Sequence, residues 1–225
     1  MSENEEKKVN TEELKTEASN TVNQVKDTIK KVDIKKDSME AKGFLGDLFK
    51  NPLEKIQEIG TTEDGKFFKY AIIIIVIWMV AELIAKCFSI GNIWGFARFG
   101  KSLLSVVLGT ITPIVSILVM SLIIFIMNSK NKKSLTTVMS TVTTANIPTV
   151  IASVVNLLTI ISTSISVITI PFAKLCSVVS VVLMYFAIKA IFGAEKNSEF
   201  VKKFVIIESI YYVAYIVLSL LKIYI

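Results

Sequence analysis

The sequence predicts an all-α polytopic membrane protein, with five transmembrane helices behind a polar, largely disordered N-terminal tail. Three observations predict it. Of 225 residues, 52% are hydrophobic, and the mean hydropathy is +0.61. The charges are segregated: residues 1–66 hold 27 of the 44, and residues 67–225 hold 17. The apolar residues after position 66 run in stretches long enough to cross a bilayer, which takes about 20 residues each. A single water-soluble globule, a collagen-like chain and a disulfide scaffold are all excluded by that pattern.

The organisation follows in order. Residues 1–42 carry abundant Lys, Glu, Asn and Thr and few aromatics, too little apolar surface to fold alone. Ala18, Val22, Val25, Ile29 and Val32 are spaced 4-3-4-3 and would line one face of a weak helix. Residues 43–66 form an entry segment. Phe44, Leu45, Leu48 and Phe49 recur at helical spacing, Asn51 and Pro52 read as a break with a new helix start, and Leu53, Ile56 and Ile59 resume the apolar face. An amphipathic segment of this kind lies on the cytoplasmic membrane surface or packs beneath the bundle's loops.

Residues 67–225 form the membrane domain. The first span is expected at 69–90 and the second at 102–127. Residues 134–173 are a 40-residue stretch without a charged side chain. As one helix it would be about 60 Å long, twice the hydrocarbon thickness, so it must fold back. The Ser162-Thr163-Ser164 cluster and Pro171 mark the expected turn, which gives a third span at 136–160 and a fourth at 169–191. The fifth is expected at 203–223. No cleavable signal peptide is expected, so the first span acts as the insertion signal.

The net charge of +6 divides into about −3 for residues 1–66 and about +9 for the rest. The basic excess therefore flanks the spans and acts as a topology signal. With the tail inside, nine Lys lie on inner flanks and five Lys or Arg on outer ones, which places the N-terminus in the cytoplasm and the C-terminus outside, in the cell membrane. No basic patch with interleaved aromatics exists outside the membrane part, so no nucleic-acid partner is expected.

Catalysis is not expected. The chain has no His, which removes Ser-His and Cys-His machinery and His-ligated metals. Its last aspartate is Asp64, so an intramembrane aspartate dyad is impossible. Cys87 and Cys176 form no CxxC motif. No catalytic residue, metal or cofactor is assigned. The two cysteines read as soft apolar side chains, with a disulfide between them as the alternative if the first and fourth spans adjoin near the outer face.

The candidate functional residues are polar groups in apolar surroundings. Glu82 and Lys86 are four apart on the first span and can pair on one helix face. Each charge alone would cost about 2.5–3.5 kcal/mol at mid-bilayer. Glu208 lies five residues after Lys203. Pairing with Lys202 or Lys189 is the preferred expectation, and a proton-titrating carboxylate facing a cavity is the sharper one. Asn146, Thr149, Ser153 and Asn156 are spaced 3-4-3 on the third span, within about 80° of arc. Pro148 is expected to kink that helix. The seam reads as hydrogen-bonded glue between helices, with a polar lining for a permeation route as the alternative. Ser105 and Gly109 form a small-xxx-small pair, and with Pro113 they read as packing features of the second span.

Two stretches resemble a known family. Asp47-Leu48-Phe49-Lys50-Asn51-Pro52-Leu53 is similar to the proline-containing entry segment of the Yip family, the Ypt/Rab-interacting-protein domain proteins. Thr143-Thr144-Ala145-Asn146-Ile147-Pro148 is similar to that family's "GY…P" stretch, with Thr143 and Thr144 at the Gly-Tyr positions. The likeness covers roughly residues 43–225, and the Lys- and Ile-rich, almost Arg-free composition resembles bacterial members. It implies Asp47, Asn51 and Pro52 as an entry motif. It also implies a five-span, non-enzymatic protein that organises membrane through protein partners, bound through the tail. The lipid bilayer is the other partner, and homo-oligomerisation stays open. A small transporter or channel subunit is the competing reading from the residues.

Overall fold

The computed structural model describes residues 34–62, 66–90, 96–128, 133–193 and 197–220, with Thr16, Ser19, Asn20, Asn23, Lys26 and Asp27. Eight α-helices and two short 3-10 turns make up the described chain, and no strand occurs among the described residues. The helices are α1 (Ile34–Lys50), α2 (Pro52–Thr61), α3 (Phe68–Ile90), α4 (Phe96–Met127), α5 (Leu135–Ala145), α6 (Ile147–Asn156), α7 (Ser166–Phe192) and α8 (Asn197–Leu220). The 4-3-4-3 residues of the tail lie outside the described residues. Helix α1 begins at Ile34, inside the stretch whose composition reads as unstructured, and runs without interruption through position 42.

Among the described residues, three helical stretches are long and apolar enough to cross a membrane: Phe68–Phe88, Leu103–Met127 and Thr163–Phe192. The pair α5–α6, bent by 49° at its break, makes a fourth if counted as one span. Helix α8 is not among them; Lys202, Lys203 and Glu208 charge its N-terminal half.

The bend at α5–α6 has a local cause. Pro148 is the second residue of α6 and lacks the N–H that would bond the Thr144 carbonyl. Asn146 takes φ −88° and ψ 1° between the helices, and its Nδ2 donates to the Val142 carbonyl at 2.9 Å. Helix α5 starts at Ser134, whose hydroxyl accepts from the Thr137 N–H at 3.2 Å. Helix α7 ends at Gly193, whose φ of 76° suits a residue without a Cβ. The fold-back lies at residues 157–165, in the two 3-10 turns. Pro171 is not part of it: the residue sits inside α7, where its missing donor falls near the helix start.

Helix α5 is the centre of the bundle. All eleven of its residues are buried, enclosed by α2, α3, α4 and α7. It is rich in hydroxyls, yet Ser140, Thr141 and Thr144 donate to carbonyls four residues back in the same helix, at 2.7–2.8 Å. Such back-bonding lets a polar helix sit in an apolar core. Its Val138 and Val142 share a core cluster with Ile117 and Ile124 of α4 and Ile188 and Ile191 of α7.

The entry segment is a two-helix hairpin docked on this bundle. Phe44, Leu48, Ile56 and Ile59 are buried in the same core cluster as the spans. Of the two placements open to the amphipathic face, packing against the bundle is the one observed for these four residues. Asn51 stands at the N-cap position of α2 but makes no side-chain cap bond; Pro52 at the first turn sets the helix start by its fixed φ.

Candidate functional site

The polar seam of α6 meets two neighbouring helices. Thr149 Oγ1 lies 2.9 Å from Ser180 Oγ of α7, and the Thr149 N–H donates to the same oxygen at 3.3 Å. One turn on, Ser153 Oγ donates to Glu82 Oε1 of α3 at 2.9 Å and accepts from Trp78 Nε1 at 3.1 Å. A further turn on, Thr169 Oγ1 of α7 donates to Asn156 Oδ1 at 3.4 Å. Three of the four seam residues thus tie α6 to α3 and α7. Asn146 does not join them, because the bend at Pro148 leaves its amide bonded to its own helix.

Glu82 is turned away from its expected partner. Its carboxylate accepts a hydrogen bond from the Ser153 hydroxyl across the α3–α6 contact, whereas the Lys86 stem lies over Gly109 of α4. An ideal Cβ on Gly109 would stand 2.8 Å from Lys86 Cε. The small-residue site on α4 therefore serves as a trough for a lysine stem, which lets a long cationic side chain run along apolar surface. Trp78 was hidden in the sequence by its apolar run; an indole N–H at that depth needs an acceptor, and Ser153 is the one at hand.

Glu208 lies half-buried on α8, which packs on α4 and, more lightly, on α7. Its electrostatic neighbour is Tyr211, whose hydroxyl lies 2.5 Å from Ser116 Oγ of α4. Of the two lysines expected beside it, Lys202 and Lys189, Lys189 instead donates to Asn197 Oδ1 at 3.3 Å.

A second cluster forms around the entry segment, from residues other than the motif's Asp47, Asn51 and Pro52. Lys69 and Tyr70 at the start of α3 both donate to Glu40 of α1. The Phe44 ring stacks on Tyr70 with centroids 4.7 Å apart and meets Phe67 at 6.0 Å. Lys55 of α2 stands over the Phe44 and Phe67 rings at 5.5 and 5.1 Å while its ammonium pairs with Glu58 at 2.8 Å. Two further bonds close the hairpin onto α5: Lys133 Nζ donates to the Thr61 carbonyl at 3.1 Å, and Thr137 Oγ1 donates to that of Thr62 at 3.0 Å. Asp47 is exposed and outside this clasp; Pro52 contributes only the break. Sequence periodicity identifies Phe44 but not its ring partners Phe67 and Tyr70, which lie more than 20 residues on.

Cys87 is exposed, Cys176 is buried, and both are free thiols. Among the described residues no three His, Cys, Asp or Glu side chains gather as metal ligands.

The chain was compared with known proteins. A family model described as the Yip1 domain matches residues 46–221, from the second half of α1 to the end of α8. No curated protein and no solved structure matches it.

Proposed function

Because the chain belongs to the Yip1-domain family, we propose that this multi-pass membrane protein crosses the bilayer five times and works, without catalysis, as a scaffold that organises membrane through protein partners. The five crossings are α3, α4, the bent pair α5–α6, α7 and α8. Helix α8 has 24 described residues, a length of about 36 Å, against a hydrocarbon core of about 30 Å. The odd count and the Lys distribution put the N-terminal tail in the cytoplasm and the C-terminus outside, in the cell membrane. The tail is then the part free to recruit partners.

The observation that carries this reading is the use of the α6 seam. Thr149, Ser153 and Asn156 all spend their side-chain bonds on neighbouring helices. Residues committed to holding a bundle together are poor candidates for a permeation lining. The absence of His from the chain supports a non-catalytic role. In-cell crosslinking with the full chain and with a version lacking residues 1–33 tests the proposal. The expected result is loss of the captured proteins with the tail, while the docked hairpin keeps the bundle inserted. An unchanged set of captured proteins would remove the basis for a tail-recruiting scaffold.

Glu208 favours a second reading. A half-buried carboxylate within an apolar helix is expensive, and such groups mark ion pathways. If the protein is a transporter or channel subunit, Glu208→Gln abolishes flux in reconstituted vesicles while insertion is kept.

A further inference from the structure

The amphipathic face of the hairpin is divided in two. Phe44, Leu48, Ile56 and Ile59 are buried in the bundle. Phe49 and Leu53 are not: they are 64% and 44% exposed, on either side of the Asn51–Pro52 break, with Lys50 exposed between them. We propose that Phe49 and Leu53 form an interfacial wedge, inserted into the headgroup–acyl boundary of the membrane that the spans cross.

The depth of the hairpin argues for lipid as the occupant. The ring of Phe44, five residues before Phe49, stacks on Tyr70. Tyr70 is the third residue of the apolar stretch Phe68–Phe88. Glu40 is bonded to Lys69 and Tyr70 at the same level, and Thr62 is bonded to Thr137 in the first turn of α5. Tyr and Lys at a span end mark the headgroup region. The hairpin is therefore clamped at the depth where two helices enter the apolar layer, and its outward apolar pair faces the boundary from there. Continuity with the lipid-facing surface comes from the same clamp. Lys50 lies between the pair, with the exposed Asp47 and Glu54 to either side, so the local charge is mixed and the apolar side chains carry the insertion. Burial in the interface removes the exposed apolar surface of both side chains from water.

The inference rests on the multi-pass membrane reading, and the test separates the two. The full chain, with Cys87→Ser and Cys176→Ala, would carry one environment-sensitive fluorophore on Phe49→Cys, Leu53→Cys, Gln57→Cys or Val182→Cys. Gln57 is an exposed polar position on α2, and Val182 is an exposed apolar one on α7. Each protein is reconstituted into vesicles of phosphatidylcholine and phosphatidylglycerol. The expected result is quenching by spin-labelled lipid at 49, 53 and 182, with iodide quenching several-fold stronger at 57 than at 49 or 53. Iodide access at 49 and 53 equal to that at 57, with 182 still quenched by lipid, would overturn the wedge alone. Protection of 49 and 53 from both quenchers would also overturn it, by assigning the pair to a second copy or to the tail. No lipid quenching at 182 would overturn the membrane reading and the wedge with it.

Discussion

The Ser153 hydroxyl donates to the Glu82 carboxylate across 71 positions of sequence, at 2.9 Å, and accepts from Trp78 on the turn before. One small hydroxyl therefore serves an acid and an indole at once. Removing it leaves both without their partner in an apolar contact, where unmet polar groups are costly.

Ser153→Ala is expected to destabilise the bundle by about 1 kcal/mol, within the range of interhelical hydrogen bonds in membranes. Glu82→Gln keeps an acceptor for Ser153 and is expected to cost less. Unfolding in mixed micelles measures both. Their double variant should fall short of the sum of the singles, since they share one bond.

The Thr149–Ser180 contact makes the same argument one turn earlier on the same face of α6, where the partner is α7. Ser180 is buried; its Oγ accepts from the backbone N–H of Thr149 and shares a hydrogen bond with the Thr149 hydroxyl. Ser180→Ala should therefore cost more than Thr149→Val, because it orphans a backbone donor as well as a hydroxyl. We expect a difference of about 0.5 kcal/mol between them in the same unfolding assay. Equal costs would show that the backbone bond carries nothing.

Gly60 and Gly109 differ in what stands against them. A Cβ on Gly60 would lie 2.7 Å from the Ala190 Cβ and 3.4 Å from its backbone carbonyl carbon. Neither can swing away, so Gly60→Ala should push α2 off α7 at a cost of about 1–3 kcal/mol. At Gly109 the opposing atoms are the flexible stem of Lys86, which can move, so Gly109→Ala should cost under about 1 kcal/mol. Thermal stability of the purified chain and a crosslink between α2 and α7 read the two outcomes.

Gly43→Ala is the complementary case. Nothing lies within 4 Å of its missing Cβ, in the interior of α1. Gly costs about 0.5–1 kcal/mol relative to Ala inside a helix, so this variant should be more stable than the parent, measured by thermal unfolding.

Much of the fold was legible from residue order. The onset of α3 at Phe68, the end of α4 at Met127 and the fold-back between α6 and α7 follow from where charge stops and how far an apolar run can extend before it exceeds the bilayer. The break at Asn51–Pro52 and the bend before Pro148 follow from a missing N–H. The seam Thr149-Ser153-Asn156 was legible as a helix face because helical spacing is local. Its partners were not: Ser180, Trp78 and Thr169 look like ordinary members of apolar runs until a neighbouring helix presents them.

The one-dimensional pattern by itself determined an all-helical membrane chain, the places where helices start and stop, and the residues that share a face. Only the tertiary arrangement decided that Glu82 bonds to Ser153, that Lys86 lies along Gly109, and that Phe44, Leu48, Ile56 and Ile59 of the entry hairpin join the bundle while Phe49 and Leu53 stay outside. The physical reason is range. Helix capping, proline and hydropathy act within a few residues, whereas a hydrogen bond between helices depends on which faces meet, and that is set by packing the whole bundle around α5.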